Sequence, residues 1–348
     1  MRIAIIGLGR ISEKHIHSIL NNKNFQLVGV CDIDKKKYLK NNIIQNIPFY
    51  ENYLDLVRAV KPDLVSVLTD SGSHYKIGME LANLNVNTII EKPLTLNIKQ
   101  ADELIKKFTL SNKKLFVVKQ NRFNEPLQRL KKALNNKEIG NVFLCNITVH
   151  WCRSNEYYDL DEWRGKWASD GGVIANQAIH HLDAMIWLMG PVESVSSFNS
   201  TFGSNIEVDD TNISIVKFLS GALGTIETTT ATRPFNKEGS ITILGSGGSI
   251  KVGGHAMNKI EYWQTKTSDH VSSKIEDKNK DINDVYGNGH FKFYEHVYES
   301  ILNNKDSEFS GESGRNSLEL VASLYLSNKL GRIVKIGEDT SSIKLGNT

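Results

Sequence analysis

Short apolar runs alternate with helical stretches over the first third of the chain. The runs are Arg2–Ile6, Gln26–Cys31, Leu64–Leu68, Val86–Ile90 and Lys114–Lys119, with a shorter one at Ile47–Tyr50. Between them, Ile11–Asn21, Tyr53–Val60, His74–Leu84 and Ile98–Leu110 carry apolar residues at helical spacing. Buried strands joined by helices predict a parallel sheet with right-handed crossovers. After about residue 120 the pattern changes. Leu127–Leu134 predicts an amphipathic helix, Asn141–Trp151 a long strand, and Gly172–Met189 a helix closed by Gly190-Pro191. Five strands follow with no helix among them: Val192–Phe198, Thr211–Leu219, Gly221–Ala231, Ser240–Leu244 and Ser249–Val252. Such a succession implies an antiparallel or mixed sheet. Helices near His290–Leu302 and Arg315–Leu330 end the chain. The expected class is α/β, with a parallel-sheet domain over residues 1–120 and an α+β domain over 121–348. The polar, highly charged stretch Lys266–Asp284 reads as a loop, either a lid or a solvated hairpin extension.

Composition narrows the function classes. The 348 residues, 40% of them hydrophobic, suffice for one or two sizeable cores. The formal net charge of +3 is spread along the chain, without the basic stripe that nucleic-acid binding requires. No apolar stretch reaches membrane-span length and the first residues already read as a strand, so a cytoplasmic protein is expected. Cys31, Cys145 and Cys152 form no CxxC pair. Cys145 and Cys152 fall at odd spacing in one predicted strand, on opposite faces. Reduced, buried thiols are expected rather than a disulfide or a metal pair.

Gly7-Leu8-Gly9-Arg10-Ile11-Ser12 follows the first strand and opens a helix. Glycine at 7 permits a tight turn, glycine at 9 lets the backbone approach a pyrophosphate, and the helix start supplies N–H groups. The second strand ends in Val30-Cys31-Asp32. An acid at that spacing accepts hydrogen bonds from ribose hydroxyls and repels a 2′-phosphate, which favours NAD over NADP. Asp34 competes for this role but reads as a turn or helix cap. Thr69 and His74 follow another strand, where they either flank the cofactor's ribose or, for His74, begin the next helix. Glu91-Lys92-Pro93 follows a buried strand. A poorly solvated lysine held by a proline is suited to proton transfer.

In the second domain Asn176, His180 and Asp183 recur at i, i+4 and i+7, and so share one face of the predicted helix. A polar stripe on an apolar helix is costly to bury unless satisfied or used. His180 is the candidate catalytic group. His181 points about 100° away and reads as structural, while Asp183 reads as an orienting residue. A third strong metal ligand is missing, so no metal is expected.

These segments together resemble the glucose–fructose oxidoreductase, inositol dehydrogenase and rhizopine-catabolism (Gfo/Idh/MocA) family of NAD(P)-dependent oxidoreductases. The resemblance implies a Rossmann domain followed by an α+β domain with a large, mostly antiparallel open sheet whose exposed face forms dimers or tetramers. The proline of the family's Glu-Lys-Pro motif is often cis. Many members carry aspartate where this chain has Asn176. With Val117–Arg122, Glu156–Asp159, Trp163–Trp167, Asn205–Thr211 and Gly239–Gly245, that asparagine is similar to the branch of UDP-N-acetylglucosaminuronate 3-dehydrogenases. The resemblance implies a cofactor site made of Gly7, Gly9, Arg10, Ile11, Asp32, Thr69, His74, Glu91, Lys92, Gln120, Trp163 and Arg164. The substrate-site candidates are Asn176, Gln177, Arg122, Arg153, Tyr157 and Tyr158, with Arg164 a further candidate for the substrate's anions or, with Trp163, for the nicotinamide half of the cofactor. The arginines match carboxylate or phosphate in a bidentate way.

The expected chemistry is NAD-dependent oxidation of a sugar C3 hydroxyl, with Lys92 and His180 converging on that hydroxyl. His180 leads as general base and Lys92 bonds the same oxygen, although the roles can be reversed. A dehydrogenase of free sugars or inositols is the enzyme alternative. A catalytically silent NAD sensor or scaffold is the non-enzyme alternative. The expected partners are a small molecule and a second copy of the chain.

Overall fold

The computed structural model describes residues 1–266 and 289–347. Apart from Lys266, the stretch read as a loop lies outside the described residues. The chain divides into two compact units, the first made of Met1–Val118 with His290–Asn316 and the second of the remaining described residues. Among the described residues no helix is long and apolar enough to cross a membrane.

The first unit is built on six parallel strands: β1 (Arg2–Ile6), β2 (Gln26–Cys31), β3 (Phe49–Tyr50), β4 (Leu64–Val67), β5 (Asn87–Ile90) and β6 (Leu115–Val117). Their order, β3-β2-β1-β4-β5-β6, reverses direction at β1, the arrangement that opens a crevice at the carboxyl ends of the strands. Ile3, Ala4, Ile5 and Ile6 are all buried, as a strand covered on both faces requires. The helices are α1 (Ser12–Leu20), α2 (Lys35–Leu39), α3 (Tyr53–Val60), α4 (His74–Asn83) and α5 (Ile98–Leu110). Asn52 and Asn97 cap α3 and α5 by accepting from two backbone N–H groups each, which fixes where those helices start. The segment His290–Asn316, expected in the second domain, packs here. Tyr294 bonds His15 and Ser66, and the Val117 N–H donates to Phe309 at 2.7 Å. These long-range contacts leave no local trace in the sequence.

The second unit carries eight strands: β7 (Val142–His150), β8 (Val192–Ser200), β9 (Thr211–Phe218), β10 (Leu223–Thr229), β11 (Glu238–Gly245), β12 (Gly248–Gly253), β13 (Lys259–Thr265) and β14 (Val334–Lys335). The order is β13-β12-β11-β7-β10-β9-β8-β14. All pairs are antiparallel except β7 with β10. β13 and β14 and the short helix α2 were not expected. Helices α6 (Glu125–Asn135), α7 (Asn155–Tyr158) and α8 (Ile179–Met189) belong to this unit, and α9 (Gly289–Leu302) and α10 (Gly311–Leu330) close the chain. One sheet face buries Cys145, Ile147, Ile226, Val216 and Ile243. On the other, Phe198 opposes Ile213 in register, and both are more than half exposed with Ile215. Cys145 lies inside β7, whereas half-buried Cys152 lies beyond its end, and all three cysteines are free.

The expected continuous helix over 172–189 is interrupted. Val173–Gln177 forms a π-helical turn, closed by Ala178 N–H on Val173 at 2.8 Å, and α8 begins at Ile179. The wider turn changes the angular spacing between Asn176 and His180 that a regular helix would give. Such turns are frequent at functional positions.

The turn starts at Gly172, whose φ of +81° and a would-be Cβ only 2.4 Å from Asp209 Oδ1 exclude any side chain. Tyr325 Oη lies 2.5 Å from Gly171 O and 2.7 Å from Asp209 Oδ1. A hydroxyl has one proton, so it donates to only one of the two oxygens. A protonated Asp209 removes the conflict by donating to Tyr325, which donates to Gly171. Burial first, and then Asp210, raise Asp209 to about 7, against the bonds from Tyr325 and Asn199. A folded-state value above the unfolded one stabilises at low pH, and the benefit is lost as pH rises from the unfolded carboxylate range through 7. The amount is roughly 3–5 kcal/mol. Asp209→Asn mimics the acid. Relative to wild type, its stability in urea is expected to gain steadily between pH 4 and 8; parallel pH profiles would count against a protonated Asp209.

Candidate active site

In the first unit, candidate residues follow the carboxyl ends of four parallel strands: Gly7 after β1, Asp32 after β2, Thr69 after β4, and Glu91-Lys92 after β5. Gly7 has φ +98°, and a Cβ there would lie 2.7 Å from the Leu68 carbonyl. Gly9 is different. Among the described residues, its chain neighbours aside, no atom lies within 4 Å of its would-be Cβ, and its φ is not left-handed. The described residues leave open space beside the Gly9 backbone, room that a ligand could use. Helix α1 starts nearby at Ser12, after Ile11 at the N-cap position with no side-chain cap, and Arg10 is exposed at the same turn. N–H groups and the positive dipole end suit a pyrophosphate there.

Asp32 is buried. Its Oδ2 accepts from Leu8 N–H at 2.7 Å, its Oδ1 from Asp34 N–H at 2.8 Å, and Lys37 Nζ lies 3.5 Å away. A carboxylate has about four acceptor positions, so capacity for ribose hydroxyls is left. Asp34 caps α2 through the Lys36 N–H. These residues fit a dinucleotide.

Three expected cofactor residues are engaged inside the unit. Thr69 Oγ1 pairs with Ser73 Oγ at 2.6 Å. His74 begins α4, and its buried ring lies between carbonyls, Nδ1 2.8 Å from Pro93 O and Nε2 3.2 Å from Thr69 O. Burial pulls its pKa down despite both carbonyls. With one N–H the neutral ring donates to only one of these carbonyls, and both nitrogens face the interior of the unit rather than a ribose. Glu91 Oε2 accepts from the Lys92 N–H at 3.0 Å and Oε1 faces His15 Nε2 at 3.0 Å, so each carboxylate oxygen has a partner within the unit. The Lys92–Pro93 peptide bond is cis, and the Lys92 side chain is half-buried. His15, Glu91 and His290 bring three potential metal donors within 4.8 Å of one another. Both His15 nitrogens and both Glu91 oxygens face hydrogen-bond partners.

In the second unit, the segment 176–183 collects a different set of partners. The Asn176 amide donates to Asp170, whose other oxygen accepts from Gly165 N–H at 2.6 Å. Gln120 Nε2 lies 3.4 Å from His180 Nε2, which places Gln120, expected at the cofactor, beside the candidate base. Asp183 accepts from Arg122 Nε and Nη2 at 2.8 Å each, from Ser317 Oγ at 2.8 Å, and from Lys119. Burial alone would raise the Asp183 pKa, but Arg122 and Lys119 hold it well below the carboxylate range. Arg122, expected to hold a substrate anion, thus spends two donors on orienting α8. His181 is fully buried against Trp151, and burial pushes it down to about 4, so it stays neutral.

The remaining expected residues come together. Arg153 Nε donates to Gln177 Oε1 at 3.2 Å, and Gln177 Nε2 donates to Tyr157 Oη at 3.0 Å. Arg164 Nη1 donates to the same hydroxyl at 2.5 Å and its Nε to Asp161 at 2.9 Å. The two guanidinium carbons lie 5.1 and 4.5 Å from the Tyr157 ring centre, and Arg164 also covers Trp163 at 4.5 Å. Tyr158 meets Thr230 at 3.1 Å. Two cations around one aromatic ring and a glutamine make a surface suited to an anionic, hydroxyl-bearing ligand. Lys119, Asp170, His15 and Tyr294 were missed. Only Asp170, directly before Gly171-Gly172, had a local signal.

Residues 1–119 match the NAD-binding Rossmann fold of the Gfo/Idh/MocA oxidoreductase family, and residues 131–336 match its C-terminal alpha/beta domain. The chain belongs to the Gfo/Idh/MocA family. It is an oxidoreductase whose cofactor is NAD, and the non-enzyme alternative loses its support. Similar solved structures include the WlbA dehydrogenase of Bordetella pertussis in complex with NADH and UDP-GlcNAcA. It is 34% identical with a TM-score of 0.91, covering 97% of this chain and 98% of that one. The WlbA dehydrogenase of Chromobacterium violaceum, with the same two ligands, is 38% identical with a TM-score of 0.88, covering 97% and 96%. Among curated Gfo/Idh/MocA relatives, the myo-inositol 2-dehydrogenase of Thermotoga maritima is 28% identical over 72% of this chain and 74% of its own length.

Proposed function

We propose that this protein oxidises the C3 hydroxyl of a UDP-linked N-acetylglucuronic acid to the 3-keto sugar, in the cytoplasm, as a step toward surface-polysaccharide sugars. The observation that carries this reading is the full-length similarity to two dehydrogenases crystallised with NADH and UDP-GlcNAcA. NAD, when bound, accepts a hydride from the sugar carbon. Lys92 donates a hydrogen bond to the hydroxyl oxygen and stabilises the negative charge that develops there. His180 takes the hydroxyl proton. Together such groups contribute roughly 10²–10⁴ in rate.

Asn176 supports a substrate that is already anionic. An aspartate there would set two carboxylates against each other at Asp170, forcing one to take up a proton. The neutral amide instead donates to Asp170. Arg153, Gln177, Tyr157 and Tyr158 are the proposed contacts to the sugar acid, with Trp163 and Arg164 toward the cofactor. The exposed Phe198, Ile213 and Ile215 face is proposed for self-association.

The curated similarity to an inositol dehydrogenase favours a second reading, a free polyol substrate. Rates of NADH formation separate the two. UDP-N-acetylglucosaminuronate is expected to exceed myo-inositol and glucose by at least about 10² in kcat/KM, because charged groups left unpaired by a smaller substrate are costly. Equal or faster turnover of myo-inositol would replace the first reading by the second.

A further inference from the structure

Helix α1 contributes more than its first N–H groups. His15 lies one turn inside it, fully buried. Its Nε2 is 3.0 Å from Glu91 Oε1 and its Nδ1 is 2.7 Å from Tyr294 Oη, which also meets Ser66 Oγ at 2.9 Å. A carboxylate only accepts, so the Nε2–H donates to Glu91 in any arrangement that satisfies both. Tyr294 and Ser66 carry rotatable hydroxyls and can serve the Nδ1 side as donor or acceptor. The second Glu91 oxygen accepts from the Lys92 backbone N–H at 3.0 Å. An unbroken chain of bonds therefore runs from the helix at the glycine turn, through one carboxylate, to the backbone of the lysine.

We propose that His15 is a positioning residue for Lys92: by fixing the Glu91 carboxylate it holds the lysine's backbone, and so the direction of its amine, from the helix that opens at the dinucleotide turn. The proposal rests on Lys92 being the catalytic amine. It does not depend on which sugar is oxidised. Glu91 is the middle of the chain, and its depressed pKa of about 2 has the matching origin: burial opposes ionisation, but the His15 bond and charge, followed by Lys92, overcome it. A misplacement near 1 Å can cost about 10² in rate, so a lost bond two steps from the amine is sufficient to be seen in kcat.

Two substitutions of similar polarity test it. In His15→Gln the side-chain amide reaches the place of Nε2 and can still donate to Glu91. In His15→Asn it reaches only the place of Nδ1. The glutamine variant is expected to keep kcat within about threefold of wild type, and the asparagine variant to lose roughly 10–100-fold, both with little change in the KM for NAD. A substrate-free readout accompanies the kinetics: the rate at which an amine-reactive reagent labels Lys92 as pH is varied, followed by peptide mass mapping. The glutamine variant is expected to follow the wild-type labelling curve and the asparagine variant to depart from it. A wrong choice of sugar would abolish turnover in all three proteins and leave the labelling contrast intact. Equal behaviour of the two variants, whether both silent, both severe or both unfolded, overturns the proposal.

Discussion

Replacing Lys92 with alanine is expected to lower kcat by roughly 10²–10⁴-fold while the dissociation constant of NAD changes by less than about threefold. The physical reason is separation of labour within the first unit. The proposed dinucleotide contacts are Gly7, Gly9, the start of α1 and Asp32, whose bonds to Leu8 and Asp34 do not involve Lys92. The lysine follows β5, with its backbone held by Glu91 and its neighbour Pro93 held by His74. Removing the amine takes away a donor without disturbing those anchors. Lys92→Arg keeps the charge but puts a planar fork where a compact ammonium stood, so it is expected to restore little. Steady-state rates together with NAD titration check both. Turnover of Lys92→Ala within a few fold of wild type would remove lysine from the chemistry.

The second large effect is expected at Asp183. Its carboxylate is shared by two buried cations, Lys119 and Arg122, and by Ser317. Asp183→Asn keeps the shape and deletes the negative charge that both buried cations share. Breaking a buried pair in this way costs roughly 3–5 kcal/mol, whereas Ser317→Ala removes one hydroxyl bond at about 1 kcal/mol. Urea midpoints measure both. Because α8 carries His180 three residues before Asp183, the asparagine variant is also expected to lose turnover. The pH sign is opposite to that of Asp209. A carboxylate held below its unfolded-state value stabilises at neutral pH, and that contribution is lost as pH falls through the depressed folded value. An Asp183→Asn variant as stable as Ser317→Ala would mean that Lys119 and Arg122 are satisfied elsewhere.

Much of the first unit was legible because its rules are local. Apolar runs bounded by turns gave every strand of the parallel sheet to within a few residues, and α3 and α5 begin where Asn52 and Asn97 can cap them. The tight turn at Gly7 and the acid at the end of β2 could be placed from spacing, and the structure shows the positive φ at Gly7 and a buried Asp32 bonded to Leu8 across that turn. The second unit was less legible. The parallel pairing of β7 with β10 joins segments far apart in sequence, and periodicity carries no information about partner or direction. The π-helical turn at Val173–Gln177 was invisible for a related reason: a helical pattern predicts a regular helix, and one inserted residue leaves it nearly unchanged. Side-chain roles were hardest to foresee. Arg122 and His74 were of the right type and in the right segments, but the structure gives them Asp183 and two carbonyls as partners. A sequence shows which groups can bind a ligand, not which ones the fold has already spent.

The account's central claim is that hydride leaves C3 of a nucleotide-linked sugar acid. It is tested most directly with UDP-N-acetylglucosaminuronate carrying deuterium at C3, by mass spectrometry of the NADH formed in a single turnover. The account predicts that the deuterium appears in the NADH and that the sugar product is the 3-ketone. NADH without deuterium, or no NADH from this substrate alongside ready turnover of myo-inositol, would contradict it.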